Sequence, residues 1–263
     1  MDDHILFDSD YRSMNDAAYW DFRAKDYSEQ TSEKLDPTAE KQRIVQELFD
    51  RGILTENSRV LDLGCGPGWY SRAFALRVGE VVGIDISENM LEYARQNNAD
   101  LRNVQFVQMD WATADVSSLG KFDLVFGNMS PAIYDDRTLE KMMSVCCGYC
   151  WYSHFAHRYC NVTNALDAYF GIERKLERIR LMFDYLWDHG YLPEIYFQRK
   201  GGQPSVASLD ELVDYYRHEY RYPESEDDQI RDVLRAFENG DGQIERISWF
   251  DKGILTWRVN KQD

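Results

Sequence analysis

Four polar side chains end short apolar runs in the first half of the chain: Asp62 in VLDLGCGPG, Asp85 in VVGIDIS, Asp110 in FVQMDW and Asn128 in FDLVFGNMS. Glycines at 64, 66 and 68 follow the first run and precede a helical pattern. A main chain stripped of side chains at a strand-to-helix corner lets a ligand come close to the backbone. Carboxylates beside that corner accept hydrogen bonds from hydroxyl, amino or ammonium groups. The implied chemistry is the gripping of a small, donor-rich molecule. A phosphate-cradling GxxxxGK[ST] loop is excluded because no Lys follows Gly68. A dinucleotide GxGxxG fingerprint fits poorly, since the third glycine comes one residue early and Trp69 stands in its place.

The elements that must position these residues alternate along the chain. Ile44, Val45, Leu48 and Phe49 recur at helical spacing before Gly52, so a helix is expected over 38–51. SRVLDLGC reads as a buried strand and residues 68–77 as a helix. GEVVGIDIS is a second strand, with Ser87 placed to cap the helix ENMLEYARQN. VQFVQMD and FDLVFGNMS are the third and fourth strands, a helix is expected over 136–147, and YCWYSHFA follows as a fifth strand. Strands alternating with helices of about ten residues predict an α/β fold with a doubly wound, mostly parallel sheet. Beyond residue 156 the rhythm changes. Residues 158–189, 208–220 and 226–238 read as helical, YLPEIYFQRK as extended, and QIERISWFDKGILTWRV as a hairpin turning at Asp251–Gly253.

The four strand-end motifs together resemble those of the class I, seven-strand Rossmann-like methyltransferases that use S-adenosylmethionine (SAM). VLDLGCGPG matches their D-x-G-x-G-x-G motif, and Asp85, Asp110 and Asn128 stand at the ends of the next three strands. The resemblance covers about residues 40–155 and implies a seven-stranded sheet binding SAM at the strands' carboxyl ends. It implies that Gly64, Cys65 and Gly66 lie along the methionine part and that Asp62 orients the ammonium and the loop. Asp85 would hold the ribose hydroxyls, Ile86 would press on the adenine, Asp110 and the Trp111 backbone would meet its edge, and Asn128 would face the ammonium. Relatives cover the cofactor with a W-x-x-x-A-x-x-Y-like segment. YWDFRAKDYSE would supply Trp20 and Tyr27, with Tyr27 near the sulfonium.

Methyl transfer from a sulfonium releases a neutral thioether, so alignment and water exclusion matter more than acid–base groups, and no catalytic residue is assigned. Asn128-Met129-Ser130-Pro131 sits where amino-directed relatives carry (D/N)-P-P-(Y/F), and reads as a loop shaping the pocket. His154 and His157 fall near the expected rim. Arg174, Lys175, Arg178 and Arg180 read as a solvated face of an amphipathic helix whose other face carries Leu176, Ile179, Phe183 and Leu186. The five cysteines read as structural. Cys146 and Cys147 are expected on a helix, and no metal is expected.

The chain has 263 residues and a net charge of −16, so it repels phosphate backbones and a DNA partner is not expected. Hydrophobic residues make up 44%, enough for a packed core, yet no apolar run approaches the about 20 residues of a membrane span. The acidic N-terminus and the odd cysteine count fit a cytoplasmic protein. The expected organisation is an N-terminal lid segment (1–37), a SAM-binding core (38–157), a mainly helical cap inserted after strand five (158–240) and a closing hairpin (241–263). The expected activity is methyl transfer to a small-molecule acceptor. A non-catalytic SAM-binding regulator and a protein or RNA methyltransferase are the alternatives.

Overall fold

A computed structural model describes residues 7, 16–32, 39–174, 177–220 and 226–259. Lys175, Leu176, most of residues 1–15, and the start of the acidic YPESEDD turn lie outside them.

The apolar runs form β1 (Arg59–Leu63), β2 (Glu80–Asp85), β3 (Val104–Gln108) and β4 (Phe122–Asn128). Pairing is parallel between β1 and β2, β2 and β3, and β1 and β4. Parallel strands need a crossover on a sheet face, and these strands therefore bury side chains on both sides. Val60, Leu61, Val81, Leu124, Val125 and Phe126 are fully or almost fully buried. α3 (Trp69–Ala75) and α4 (Glu88–Asn97) supply the first two crossovers. α1 (Ala17–Ser32) and α2 (Ala39–Asp50) precede β1, and α5 (Asp136–Ser144) leads into β5 (Cys146–Cys160), which pairs with β4 in parallel. α6 (Asn161–Phe170), α7 (Arg178–Asp188), β6 (Glu194–Ala207), α8 (Leu209–Tyr220), α9 (Asp227–Arg235) and β7 (Ile244–Arg258) follow. The seven-stranded sheet has the order β3-β2-β1-β4-β5-β7-β6, the doubly wound α/β architecture expected.

Two local expectations are corrected. Cys146 and Cys147 open β5 instead of ending a helix, because Val145 closes α5 and Cys146 pairs in register with Phe122. Residues 244–258 form one continuous strand, with no hairpin at Asp251–Gly253. A tight hairpin there would want a glycine at positive φ, and Gly253 is not among the residues with positive φ. The Asp251 carboxylate accepts both arms of the Arg199 fork at 2.8 Å, so its charge is satisfied along an extended strand.

The chain divides into two compact units, with boundaries inside β5, β6 and β7 and before α7. One comprises Met1–His154, Glu177–Tyr196 and Gly253–Asp263, and the other Phe155–Leu176 and Phe197–Lys252. The first is built on two apolar clusters around β1, β2 and β4. The second has its own core of Val162, Leu166, Leu212, Tyr216, Ile230, Leu234 and Ile244.

Candidate functional site

β1 ends at Leu63 and the chain turns through Gly64, Gly66 and Gly68, all at positive φ (74°, 51° and 78°). The requirement at Gly64 is steric as well as torsional. A Cβ there would lie 2.2 Å from Ser130 Oγ, so the loop after β4 packs directly on bare backbone. Gly68 serves a different purpose. A Cβ there would meet Ala94 at 3.0 Å, so this glycine lets α3 start against α4. The loop is tied to the end of β2: Gly64 and Cys65 N–H donate to the Ile84 carbonyl (2.8 and 3.0 Å), and Gly66 N–H donates to Asp85 Oδ2 (2.8 Å).

Asp85 accepts from Ser87 N–H with its other oxygen, at 3.0 Å. Each carboxylate oxygen thus takes one main-chain donor and keeps a lone pair for a second. Burial pushes its pKa up against the pull of those N–H groups, and Asp21 adds to the rise. Asp62 lies beneath the loop, almost fully buried, and accepts from Ser71 Oγ at 2.6 Å. Burial, opposed by that bond and reinforced by Asp85, pushes it up to about 7.

Facing the glycines, β4 delivers Asn128, whose Oδ1 accepts from Ser153 Oγ at 3.0 Å. The next residue, Met129, has φ 54°, a left-handed conformation that an L-residue holds only under constraint. The constraint is visible: Met129 N–H donates to the Ser153 carbonyl at 2.9 Å, and Tyr152 Oη donates to the Ser130 carbonyl at 2.8 Å. Arg178 in turn donates to Tyr152 Oη at 3.1 Å. Arg178 is 3% exposed, which corrects its reading as part of a solvated face. Its spacing to Met182 and Tyr185 is that of the buried stripe of α7, a signal present in the sequence.

Helix α1 is anchored by Asp21, which accepts from Ser87 Oγ at 2.6 Å and Asn89 N–H at 3.2 Å at the N-terminus of α4. An anionic residue at this position meets the positive end of the helix dipole. Nothing in the sequence pattern singled Asp21 out.

A pocket at the carboxyl ends of β1, β2 and β4 is lined by Gly64, Gly66, Asp85, Ile86, Asn128 and Met129. Trp20, Tyr27, Met90 and Trp111 also face it. Desolvation and the Asp85 charge raise the Tyr27 pKa, opposed by Arg23, although the residue is 39% exposed. The structure thus brings together Tyr27, Gly64, Gly66, Asp85, Ile86, Trp111 and Asn128. Asp62, Cys65 and Asp110 are not among the lining residues. Cys65 turns its thiol into the core, where burial raises its pKa well above the ordinary value. Asp110 spends its carboxylate locally, on Ala112 N–H (3.0 Å) and Thr113 Oγ1 (2.8 Å). His154 stacks on Tyr152 at 6.3 Å and His157 is exposed 3.8 Å from Asp251, and neither lines the pocket. Among the described residues no His/Cys/Asp/Glu cluster could hold a metal ion.

Residues 60–150 match a methyltransferase domain model. Over this segment the chain is similar to methyltransferase domains. Over 72 residues it is 43% identical to a malonyl-[acyl-carrier protein] O-methyltransferase from Legionella pneumophila, covering 27% of this chain and 25% of that protein. Over 85 residues it is 40% identical to a 23S rRNA uracil C5-methyltransferase from Shewanella sediminis, covering 30% of this chain and 19% of that one. The match thus spans a quarter or less of the length of these two relatives. Magnesium protoporphyrin IX methyltransferase from Synechocystis, solved with S-adenosylhomocysteine bound, has the same fold. It superposes with TM-score 0.53 at 17% identity, over 92% of this chain and 97% of that one. The matched segment ends within β5, so residues beyond 150 lie outside the family match.

Proposed function

We propose that the chain is an enzyme that transfers a methyl group from SAM to a small-molecule acceptor. The observation that carries the reading is the pairing of Asp85 with the glycine corner. A carboxylate held by two main-chain donors keeps acceptor capacity beside backbone that no Cβ covers. The pocket fits SAM in its donor set: acidic Asp85 for the ribose, apolar Ile86, Met90, Met109 and Trp111 for the purine, and Asn128 with the 64–66 backbone for the amino-acid end. Asp62 contributes from beneath the loop through its charge. SAM supplies an electrophilic methyl carbon on a cationic sulphur. The chain's own work is to orient that carbon, keep water away with Trp20 and Tyr27, and hold the 128–131 loop in one strained shape. In-line displacement then needs an aligned acceptor more than a general base.

Among the described residues no helix is long and apolar enough to cross a membrane. We place the protein in the cytoplasm, acting on a metabolite and not on DNA. The charge of −16 favours a small acceptor over RNA, although one relative bears the name of an rRNA methyltransferase. Incubating the protein with methyl-labelled SAM and separate fractions of metabolites, protein and RNA tests the assignment. Label is expected in the metabolite fraction. Label in RNA or protein replaces the acceptor class, and SAM binding without any labelled product favours the regulator.

A further inference from the structure

The second unit contains a cavity of about 550 Å³, within the range of small-molecule sites. Every residue lining it lies between Phe155 and Phe250, beyond the segment that the family model matches. Its walls are aromatic. Tyr159 and Trp249 stack with centroids 5.7 Å apart and planes at 20°, and Phe155 meets Phe250 edge-on at 5.0 Å. Three arginines line it, Arg158, Arg174 and Arg246, against a single carboxylate, Asp167. Arg174 closes its fork on that carboxylate at 2.8 and 2.9 Å. Arg246 is half-buried, 5.0 Å over the Tyr215 ring, and has no carboxylate partner among the described residues. Its Nε is buried without a hydrogen-bond acceptor among those residues. In a chain with 46 acidic and 30 basic side chains, a half-buried guanidinium that meets only aromatic rings and the Cys160 thiol, with no carboxylate among the described residues, is a built feature. A desolvated cation gains most from an anion brought to it. The Tyr216 and Thr163 hydroxyls, 2.9 Å apart and next to Cys160, add polar groups beside it.

We propose that this cavity binds a small aromatic molecule carrying an anionic group, with the acid on Arg246 and the ring against Tyr159 and Trp249. Arg246 supplies charge and a hydrogen-bond donor, and the aromatic walls supply flat apolar area without rotamer cost. The site does not depend on the SAM assignment, because none of its residues belongs to the SAM pocket.

Calorimetric titration of the full chain with naphthoate, naphthamide and cyclohexanecarboxylate tests it. Naphthoate is expected to bind saturably at or below about 1 mM. The amide and the non-aromatic acid are each expected to bind about tenfold or more weakly. Arg246→Met is expected to weaken naphthoate by about ten- to hundredfold, and Arg246→Lys by less, with S-adenosylhomocysteine affinity unchanged in both. Should Arg246→Met fail to fold, Trp249→Leu and the acid-against-amide comparison on the unmodified protein carry the test. Absence of saturable naphthoate binding, equal affinity for acid and amide, an undiminished Arg246→Met variant, or displacement of naphthoate by S-adenosylhomocysteine would each overturn the proposal.

Discussion

The pocket at Gly64–Ala132 and the cavity at Phe155–Phe250 are made of opposite materials. The first is shaped by backbone: three glycines and Met129 at positive φ, and a carboxylate that takes one main-chain N–H on each oxygen. The second is shaped by side chains, with three arginines and aromatic rings drawn from β5, the segment after α6, α8 and β7. A backbone-built site tolerates no added atom where another loop packs on it, as Ser130 does on Gly64. A side-chain-built site keeps its frame when one wall residue is changed.

The widest gap should appear between two glycines of similar φ. Gly64→Ala places a methyl 2.2 Å from Ser130 Oγ at φ 74°, whereas Gly171→Ala at φ 66° meets nothing within 4 Å. Strain plus overpacking should cost the Gly64 variant about 3 kcal/mol or more, with loss of SAM binding. Strain alone should cost the Gly171 variant about 1 kcal/mol. Urea denaturation of both variants decides, and equal losses would mean that the close approach of the 128–131 loop is not what Gly64 provides.

A second pair sharpens the contrast within one helix. Arg178 is buried on Tyr152 Oη, while Arg180, two residues on, pairs with Glu177 and Asp184 in solvent. Arg178→Met should cost about 1–3 kcal/mol and weaken SAM binding through the loosened 128–131 loop. Arg180→Ala should leave the melting temperature unmoved within error. A silent Arg178→Met would remove that residue from the support of the site.

A smaller effect is expected from pH. With Asp62 pushed up to about 7, its buried charge opposes folding, so the stability it contributes is full below its ordinary carboxylate pKa. That contribution is lost as pH rises toward 7. A cationic ligand favours the charged form, so SAM affinity should rise several-fold between about pH 6 and 7.5. Asp62→Asn should flatten both profiles. A profile identical to the unmodified protein's would assign the titration to another group.

Legibility in the sequence follows the same division. Glycine spacing and strand-end acids report backbone geometry, so β1 to β4 and the sheet class are readable from local pattern, whereas the Gly66 N–H bond to Asp85 is seen only in the structure. Asp62, Cys65 and Asp110 carry the motif's letters but do not line the pocket, because spacing fixes where a Cα stands and not what its side chain meets. Arg178 stands on the buried stripe that the periodicity of α7 marks, and its charge masks that position in the sequence. The false hairpin at Asp251–Gly253 came from reading turn residues without the Arg199 partner that holds the strand straight. Arg246 and the aromatic wall, gathered from residues far apart in the chain, left no local spacing to read.

The central claim is that Asp85, gripped by the glycine corner, holds the sugar of SAM. Calorimetric titration of SAM into the unmodified protein and into folded Asp85→Ala tests it most directly. Saturable binding that weakens by about 1–3 kcal/mol in the variant is the predicted result. No SAM binding by the unmodified protein, or equal affinity in the two, would contradict it.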